Sequence, residues 1–179
     1  MTSSQLTPTM TPAPFERAAL ESLYLRLERR VFNVVYRWLW NEDDAAEVTQ
    51  EAFAKVWAMR ERVKSETVEA LVFRIAVNLA SNRRRARRLW DFVTLEALTA
   101  STPPPDHGDT RRRVRAAVDA LPEKLRRVVV LGELSGMTAK EIGAVLGIPE
   151  GTVASRRHAA VAVLRDRLGA LMEADDDPA

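Results

Sequence analysis

Residues 138–168, TAKEIGAVLGIPEGTVASRRHAAVAVLRDRL, decide how this chain is read, because they carry the punctuation of two helices joined at a tight corner. Thr138 is a good N-cap, and Glu141 three residues on can close a capping box, so a short helix starts at Ala139. Ile142, Val145 and Leu146 give it one apolar face. Gly147 suits the position just past the helix end, where the backbone turns left-handed and a Cβ is a liability. Ile148 plugs the corner, and Pro149 cannot continue the first helix but suits the first turn of a second. Beyond it Val153, Ala160, Val161, Leu164 and Leu168 recur at helical spacing and face a core, leaving Thr152, Ser155, Arg156 and Ala159 pointing away. A helix presented this way can enter a DNA major groove. The same spacing also suits a plain helical hairpin with a solvated basic face, so the rest of the chain must decide.

The 179 residues suffice for one ordinary domain or two small ones, and the run of helical signals favours an all-α chain of two small helical domains. Lys and Arg number 27 against 25 acidic residues, so the distribution of charge says more than the net +2. With no cysteine, disulfides and thiolate chemistry are excluded and a reducing compartment fits. The two histidines, His107 and His158, stand at no metal-ligand spacing. No Gly-rich phosphate loop and no nucleophile with a histidine partner occurs. The expectation is therefore no enzyme: no catalytic residues, no metal, no cofactor and no small-molecule substrate. No apolar run approaches bilayer length, and MTSSQLTPTMTPAP at residues 1–14 has neither the basic start nor the apolar centre of a signal peptide, so a soluble cytoplasmic protein is expected.

Taken in order, residues 1–14 read as a disordered tail rich in Thr, Ser and Pro. A first domain covers residues 15–90. Its first helix starts near Phe15 and buries Leu20, Leu23, Leu27, Val31, Val34 and Trp38 at steps of three and four. The run NEDD at 41–44 supplies a cap and dipole-compatible acids for a second helix, whose face of Ala45, Val48, Ala52, Phe53, Val56 and Trp57 turns inward. Its other face holds Asp43, Asp44, Glu47, Gln50 and Glu51, which suits either a solvated surface or a partner. After a polar connection at 59–67, a third helix spans 68–90 with Leu71, Val72, Ile75 and Leu79 inward and a stripe of Arg74, Asn78, Ser81, Arg85 and Arg88 on another side. RRRARR at 83–88 is the densest positive charge in the chain; it complements the helix dipole, and its density favours a phosphate-backbone contact over a solvated face. Residues 91–109, ending in STPPPDHGD, read as a flexible linker, with His107 solvated within it. A second domain covers 110–170. Val114, Ala117, Val118 and Leu121 form one stripe; Leu125, Val128, Val129 and Leu131 form another behind Pro122, stopped by Ser135 and Gly136. Residues 171–179 form an acidic tail.

Three segments, DDAAEVTQEAFAKVW at 43–57, FRIAVNLASNRRRARR at 73–88 and LPEKLRRVVVLGELSGMTAKEIGAVLGIPEGTVASRRHAAV at 121–161, stand in an order and spacing that resembles the extracytoplasmic-function (group IV) sigma factors of the sigma-70 family, from about Leu23 to Leu168. The resemblance implies a dissociable subunit that binds core RNA polymerase and directs promoter-specific initiation. It implies a region 2 domain whose Asp44, Glu47, Gln50 and Glu51 meet the β′ clamp helices, and a −10 site in which Asn78 matches the asparagine at a flipped-base pocket. Lys64 and Ser65 of the 64–67 loop, with Arg74, Arg83, Arg84, Arg85, Arg87 and Arg88, would hold the −10 strand. It further implies a region 4 domain that sits at the β flap and reads the −35 duplex through Thr152, Ser155, Arg156 and His158. His158 has two balanced readings, a DNA hydrogen bond or a place at the domain surface. An anti-sigma factor that covers the polymerase-binding surfaces, and that can hold the protein at the membrane, is the other implied partner. The chain departs from the family at Val68 and Leu71, where an aromatic pair or Trp is common, and at Ala154 and Ala159, where Arg is common. A stand-alone regulator of LuxR type, with a similar helix-turn-helix, is the alternative; it would bind duplex DNA without polymerase, commonly as a dimer.

Overall fold

The computed structural model describes residues 16–95 and 109–173, with side chains placed over 16–90 and 112–169. The expected N-terminal tail, the linker from 96 to 108 with His107, and the acidic tail from 174 lie outside the described residues. Every regular element among the described residues is helical.

Helix α1, Arg17–Leu39, starts two residues later than expected and buries Leu23, Leu27, Val31, Val34, Val35 and Trp38. It ends at Trp40, the one non-glycine residue with positive φ (53°) among the described residues, whose N–H closes onto the Tyr36 carbonyl at 2.6 Å. A left-handed backbone costs an L-residue roughly 1–2 kcal/mol. Here the indole recovers contacts, edge-on to Tyr36 at 6.0 Å and under the Arg115 guanidinium at 5.1 Å. The sharp stop lets α2, Glu42–Ala58, fold straight back, capped by the Asn41 side chain, which accepts from the Asp44 N–H at 2.8 Å. Thr49 is tolerated in its buried face because its hydroxyl donates to the Ala45 carbonyl at 2.7 Å.

The polar connection contains a single 3-10 turn, Arg60–Arg62. Helix α3, Val68–Leu95, runs five residues past the expected end, since residues 91–95 contain neither Pro nor Gly to stop it. Its inward face also differs from the expected one. Val68, Val72, Phe73, Ala76, Val77 and Ala80 are buried, while Leu71, Ile75 and Leu79 are half-buried at its border. The small Ala76 and Ala80 let α3 approach α1 and α2 closely, so the deepest strip is marked by side-chain size as well as by hydrophobicity. Ser81, expected on the polar stripe, is buried as well.

The second unit comprises α4, Asp109–Asp119, α5, Glu123–Gly132, α6, Ala139–Leu146, and α7, Glu150–Glu173. Helices α4, α5 and α6 all pack on α7. Leu131 and Val130 of α5 are fully buried, beside Val128, Val129, Ile142, Val145, Val153 and Ala160. Five stripe residues fall short of full burial: Leu125, Leu164 and Leu168 are half-buried, and Val114 and Val161 are 38% and 41% exposed. Val161 stands eight residues beyond Val153, about 80° around the helix axis, which carries it past the edge of the packed face. The two units also touch one another, α3 against α6 and α1 against α5, and their buried residues join in one continuous cluster.

Candidate nucleic-acid and partner interface

The corner between α6 and α7 follows from its sequence. Thr138 and Glu141 form a reciprocal capping box, with the Thr138 N–H donating to the Glu141 carboxylate at 2.8 Å and the Glu141 N–H donating to the Thr138 hydroxyl at 3.3 Å. These bonds hold the Glu141 carboxyl below its ordinary value, the backbone N–H being the largest cause and the Thr138 hydroxyl the next. Gly147 takes the left-handed conformation (φ 68°), and its N–H and that of Ile148 both converge on the Gly143 carbonyl, at 2.8 and 3.1 Å. That convergence draws the Ile148 carbonyl over Gly143, where an added Cβ would stand 2.8 Å from it. Gly143 was not singled out from the sequence; its place mid-helix, where Gly is otherwise a cost, is the signal that points to it.

On α7, Val153 and Ala160 face the core, Ser155, His158 and Ala159 are exposed, and Thr152 and Arg156 are half-buried at its edge. Arg157, which stood outside the expected site, forms a surface ion pair with Glu133 at the end of α5. Ala154 and Ala159 are exposed, so the missing family arginines are absent from the outward surface itself. His158 lies with Ala154 and Val161 around a shallow depression between α6 and α7.

The basic end of α3 does not form one outward stripe. Consecutive arginines radiate at about 100° steps around a helix, so residues four apart share a direction. Arg83 and Arg87 turn to α2: Arg83 pairs with Asp44 at 3.1 Å and Glu47 at 2.5 Å, and Arg87 pairs with Asp44 at 3.3 Å. Arg84 and Arg88 turn to the C-terminus of α4, where both donate to the Asp119 carbonyl, at 2.8 and 3.0 Å. Arg85 meets Glu123 at 3.5 Å. Further up the helix Arg74 donates to the Ala144 and Val145 carbonyls at 2.6 and 2.9 Å, and Arg127 of α5 donates to Asn78 at 3.2 Å and to the buried Ser81 at 3.3 Å. Lys64 and Ser65, in the loop before α3, are exposed. Val68 is buried in the core, so it offers no face for base stacking.

The acidic face of α2 is divided in the same way. Asp44 and Glu47 are occupied by Arg83 and Arg87, whereas Gln50 and Glu51 are exposed, Glu51 beside Lys55 of its own helix at 3.3 Å. Next to them an open apolar groove runs between α1 and α2, lined by Leu20, Tyr24, Leu25, Phe53, Ala54 and Trp57. Leu25, 82% exposed, lies off the inward stripe of α1, and that displacement was the sequence signal for the groove.

No described helix is long and apolar enough to cross a membrane, and no described cluster of His, Asp and Glu could hold a metal ion. The arrangement defines a class: a two-unit protein, helical in every regular element of its described residues, with a helix-turn-helix in its second unit. The description "Sigma-70 region 2" matches residues 23–89 and "Sigma-70, region 4" residues 111–164, together well over half the chain. The ECF RNA polymerase sigma factor SigE of Mycolicibacterium smegmatis is 37% identical over 152 residues, which span 78% of this chain and 57% of that protein. The ECF RNA polymerase sigma-E factor of Escherichia coli K12 is 30% identical over 157 residues, 79% of this chain and 82% of that one. Among solved structures, CnrH in complex with the cytosolic domain of CnrY aligns over 90% of this chain and 92% of that one, with a TM-score of 0.64 and 25% identity. The sigma factor RpoE of Bartonella quintana, solved with the anti-sigma factor NepR, shares the fold at a TM-score of 0.62 and 20% identity over 83% of this chain and 96% of that one. The chain belongs to the extracytoplasmic-function sigma factors of the sigma-70 family, which are alternative sigma subunits of RNA polymerase. The match over 23–89 leaves no place for the LuxR-type alternative, which accounts for the helix-turn-helix alone.

Proposed function

We propose that this chain recruits core RNA polymerase to a restricted set of promoters and carries no catalysis of its own. The first unit, 15–90, engages polymerase and the −10 element; the second, 110–170, engages the −35 duplex and the β flap. The observation that carries this reading is the outward surface of α7, where Ser155 and His158 are exposed beside Thr152 and Arg156 on a helix locked by a capping box and a glycine corner. Arg and Ser side chains at such positions can read base edges and phosphates in a major groove.

Docking on the β′ clamp helices is assigned to Gln50 and Glu51, supported by their exposure and by the apolar groove beside them. A polar rim next to an apolar centre is the usual anatomy of a protein interface. Asp44 and Glu47 join that surface only when Arg83 and Arg87 release them. The −10 strand is assigned to Lys64, Ser65, Arg74, Asn78, Arg83, Arg84, Arg85, Arg87 and Arg88. The partners recorded for the neighbouring folds, the anti-sigma factor NepR and the cytosolic domain of CnrY, support an anti-sigma partner here, with a cytoplasmic site of action. The test is polymerase binding by a Gln50→Ala, Glu51→Ala double variant. We expect the core-polymerase dissociation constant to rise about tenfold or more, while thermal unfolding stays unchanged because both groups are solvent-facing. Unchanged affinity would move the polymerase contact off this face.

A further inference from the structure

We infer that the apolar groove between α1 and α2 is the seat of this chain's own proline-rich segment, residues 7–14, TPTMTPAP, which covers the polymerase-docking face while it is bound. The docking stands on the chemistry of groove and segment. Its effect on polymerase rests on the sigma-factor reading above and adds a competitor to it.

The groove has the lining that proline-rich chains take. Tyr24 and Phe53 meet edge to face at 4.9 Å, and the Tyr24 hydroxyl donates to Glu28 at 2.9 Å, which holds its ring in place. Trp57 is half-buried, with the Arg60 guanidinium 4.7 Å from the centre of its ring. With Leu20, Ala54 and the 82% exposed Leu25, these three rings form an open apolar surface of the kind that marks a docking site. Aromatic-lined grooves bind polyproline II segments because such a segment is already extended and loses little freedom on docking.

Residues 1–15, which precede the described structure, supply such a segment. Pro8, Pro12 and Pro14 fix their own φ, and each biases the residue before it, Thr7, Thr11 and Ala13, to extended backbone. The chain is 29% charged, yet residues 1–15 hold no charged side chain, and a charge would resist burial in an apolar seat. The entry is directed as well. Glu16 is the N-cap of α1, so Phe15 stands just before the cap and Leu20 at the fourth helical position, the pair that packs as a hydrophobic staple and sets the angle at which a chain enters its helix. Leu20 also lines the groove, so the staple delivers the preceding residues to the groove's near end. As polyproline II, residues 7–14 reach about 25 Å, whereas Leu20 to Leu25 covers about 8 Å of helix axis, so the segment is long enough to turn back and span the groove. Tethered this closely, it meets the groove at an effective concentration of about a millimolar. An intrinsic affinity of about 0.1 mM then fills the groove about nine-tenths of the time and weakens a competitor about tenfold. Gln50 and Glu51 lie next to the same groove, so the β′ clamp helices are that competitor.

The test uses the full chain, which has no cysteine of its own, carrying one of two cysteine pairs. Thr9→Cys with Ala54→Cys places one thiol on the segment and one in the groove. Thr9→Cys with Glu69→Cys places the second thiol on α3 instead, on the side of α1 where Glu69 meets Arg26. Ala54 and Glu69 are both exposed, so neither substitution disturbs the core. Disulfide formation is timed in dilute protein under a glutathione redox buffer. The Ala54 pair should close within one chain about tenfold faster than the Glu69 pair, as a seated segment requires. Adding Pro8→Gly, Met10→Gly and Pro12→Gly should bring the two rates together. In the cysteine-free chain the same three glycines should lower the dissociation constant for core polymerase about tenfold. Equal rates for the two pairs would overturn the docking, and an Ala54 pair that closes only between chains would overturn it by giving the groove to a second copy. Unchanged polymerase affinity in the triple-glycine chain would overturn the competition. A native chain that does not bind polymerase would overturn the sigma reading, while the disulfide rates still decide the docking.

Discussion

Replacing Gly143 by Ala and Gly151 by Ala makes the same chemical change twice, and the two substitutions should move stability in opposite directions. Both glycines are helical, so each replacement removes backbone freedom from the unfolded chain and improves helix propensity, by up to about 1 kcal/mol. At Gly151 nothing lies within 4 Å of the new Cβ, and the residue is exposed near the start of α7, so a net gain of about 0.5 kcal/mol is expected. At Gly143 the Cβ meets the Ile148 carbonyl oxygen at 2.8 Å. That oxygen is backbone, and the peptides around it are pinned by the Gly147 and Ile148 N–H bonds to the Gly143 carbonyl, so relief requires the whole corner to shift. Overpacking of this kind costs roughly 1–3 kcal/mol, which exceeds the propensity gain and leaves a net loss of about 1–2 kcal/mol. Urea unfolding monitored by circular dichroism measures both, and with a slope of about 2 kcal/mol per molar the Gly143→Ala midpoint should fall by about 0.5–1 M. The same variant should lose −35-dependent initiation, because the corner sets the pose of α7. A Gly143→Ala protein as stable as the native chain, or stabilised like Gly151→Ala, would refute the close approach at the corner.

Three further substitutions probe the core of the second unit, the helix cap and the outward face of α7. Leu131→Ala, at a fully buried position in α5, should cost about 2–5 kcal/mol in urea unfolding; a loss under about 1 kcal/mol would mean that the second unit can collapse around the cavity. Glu141 has its carboxyl lowered by the Thr138 bonds, so its contribution to stability is present above its ordinary value of 4.5 and is lost as pH falls through the depressed folded value. Glu141→Gln should therefore reduce the acid-side slope of the melting temperature between pH 5 and 3 (an interval set by linkage), and an unaltered slope would contradict the capping geometry. Arg156→Ala, at the edge of the outward face of α7, should weaken −35-dependent initiation by about tenfold, the loss of one good base or phosphate contact; an unchanged promoter profile would place the duplex contact elsewhere.

The helix-turn-helix was legible almost to the residue because its signals are local. A capping box and a left-handed glycine each act within a few residues and stand as read at Thr138 and Gly147, while Pro149, expected in the first turn of the second helix, stands one residue before its first residue, Glu150. The sigma-70 family was legible for a related reason, since it rests on three segments in order. What escaped the sequence was direction and partnership. The arginines of 83–88 read as one cluster, yet they diverge to α2, α4 and α5 because a helix distributes neighbours around its axis. Ser81 reads as polar surface and is buried because Arg127, 46 residues away, supplies its hydrogen bond. Arg126, which was not singled out from the sequence, is buried over Trp38, a contact that exists only once the two units meet. Each of these depends on long-range packing that periodicity within one helix does not encode.

In vitro transcription with purified core polymerase on a pool of genomic promoter fragments, with and without this protein, decides whether the chain directs initiation. New start sites restricted to one −10 and −35 pattern should appear only when the protein is added. Start sites identical to those of core polymerase alone, from protein that is folded by circular dichroism, would contradict it.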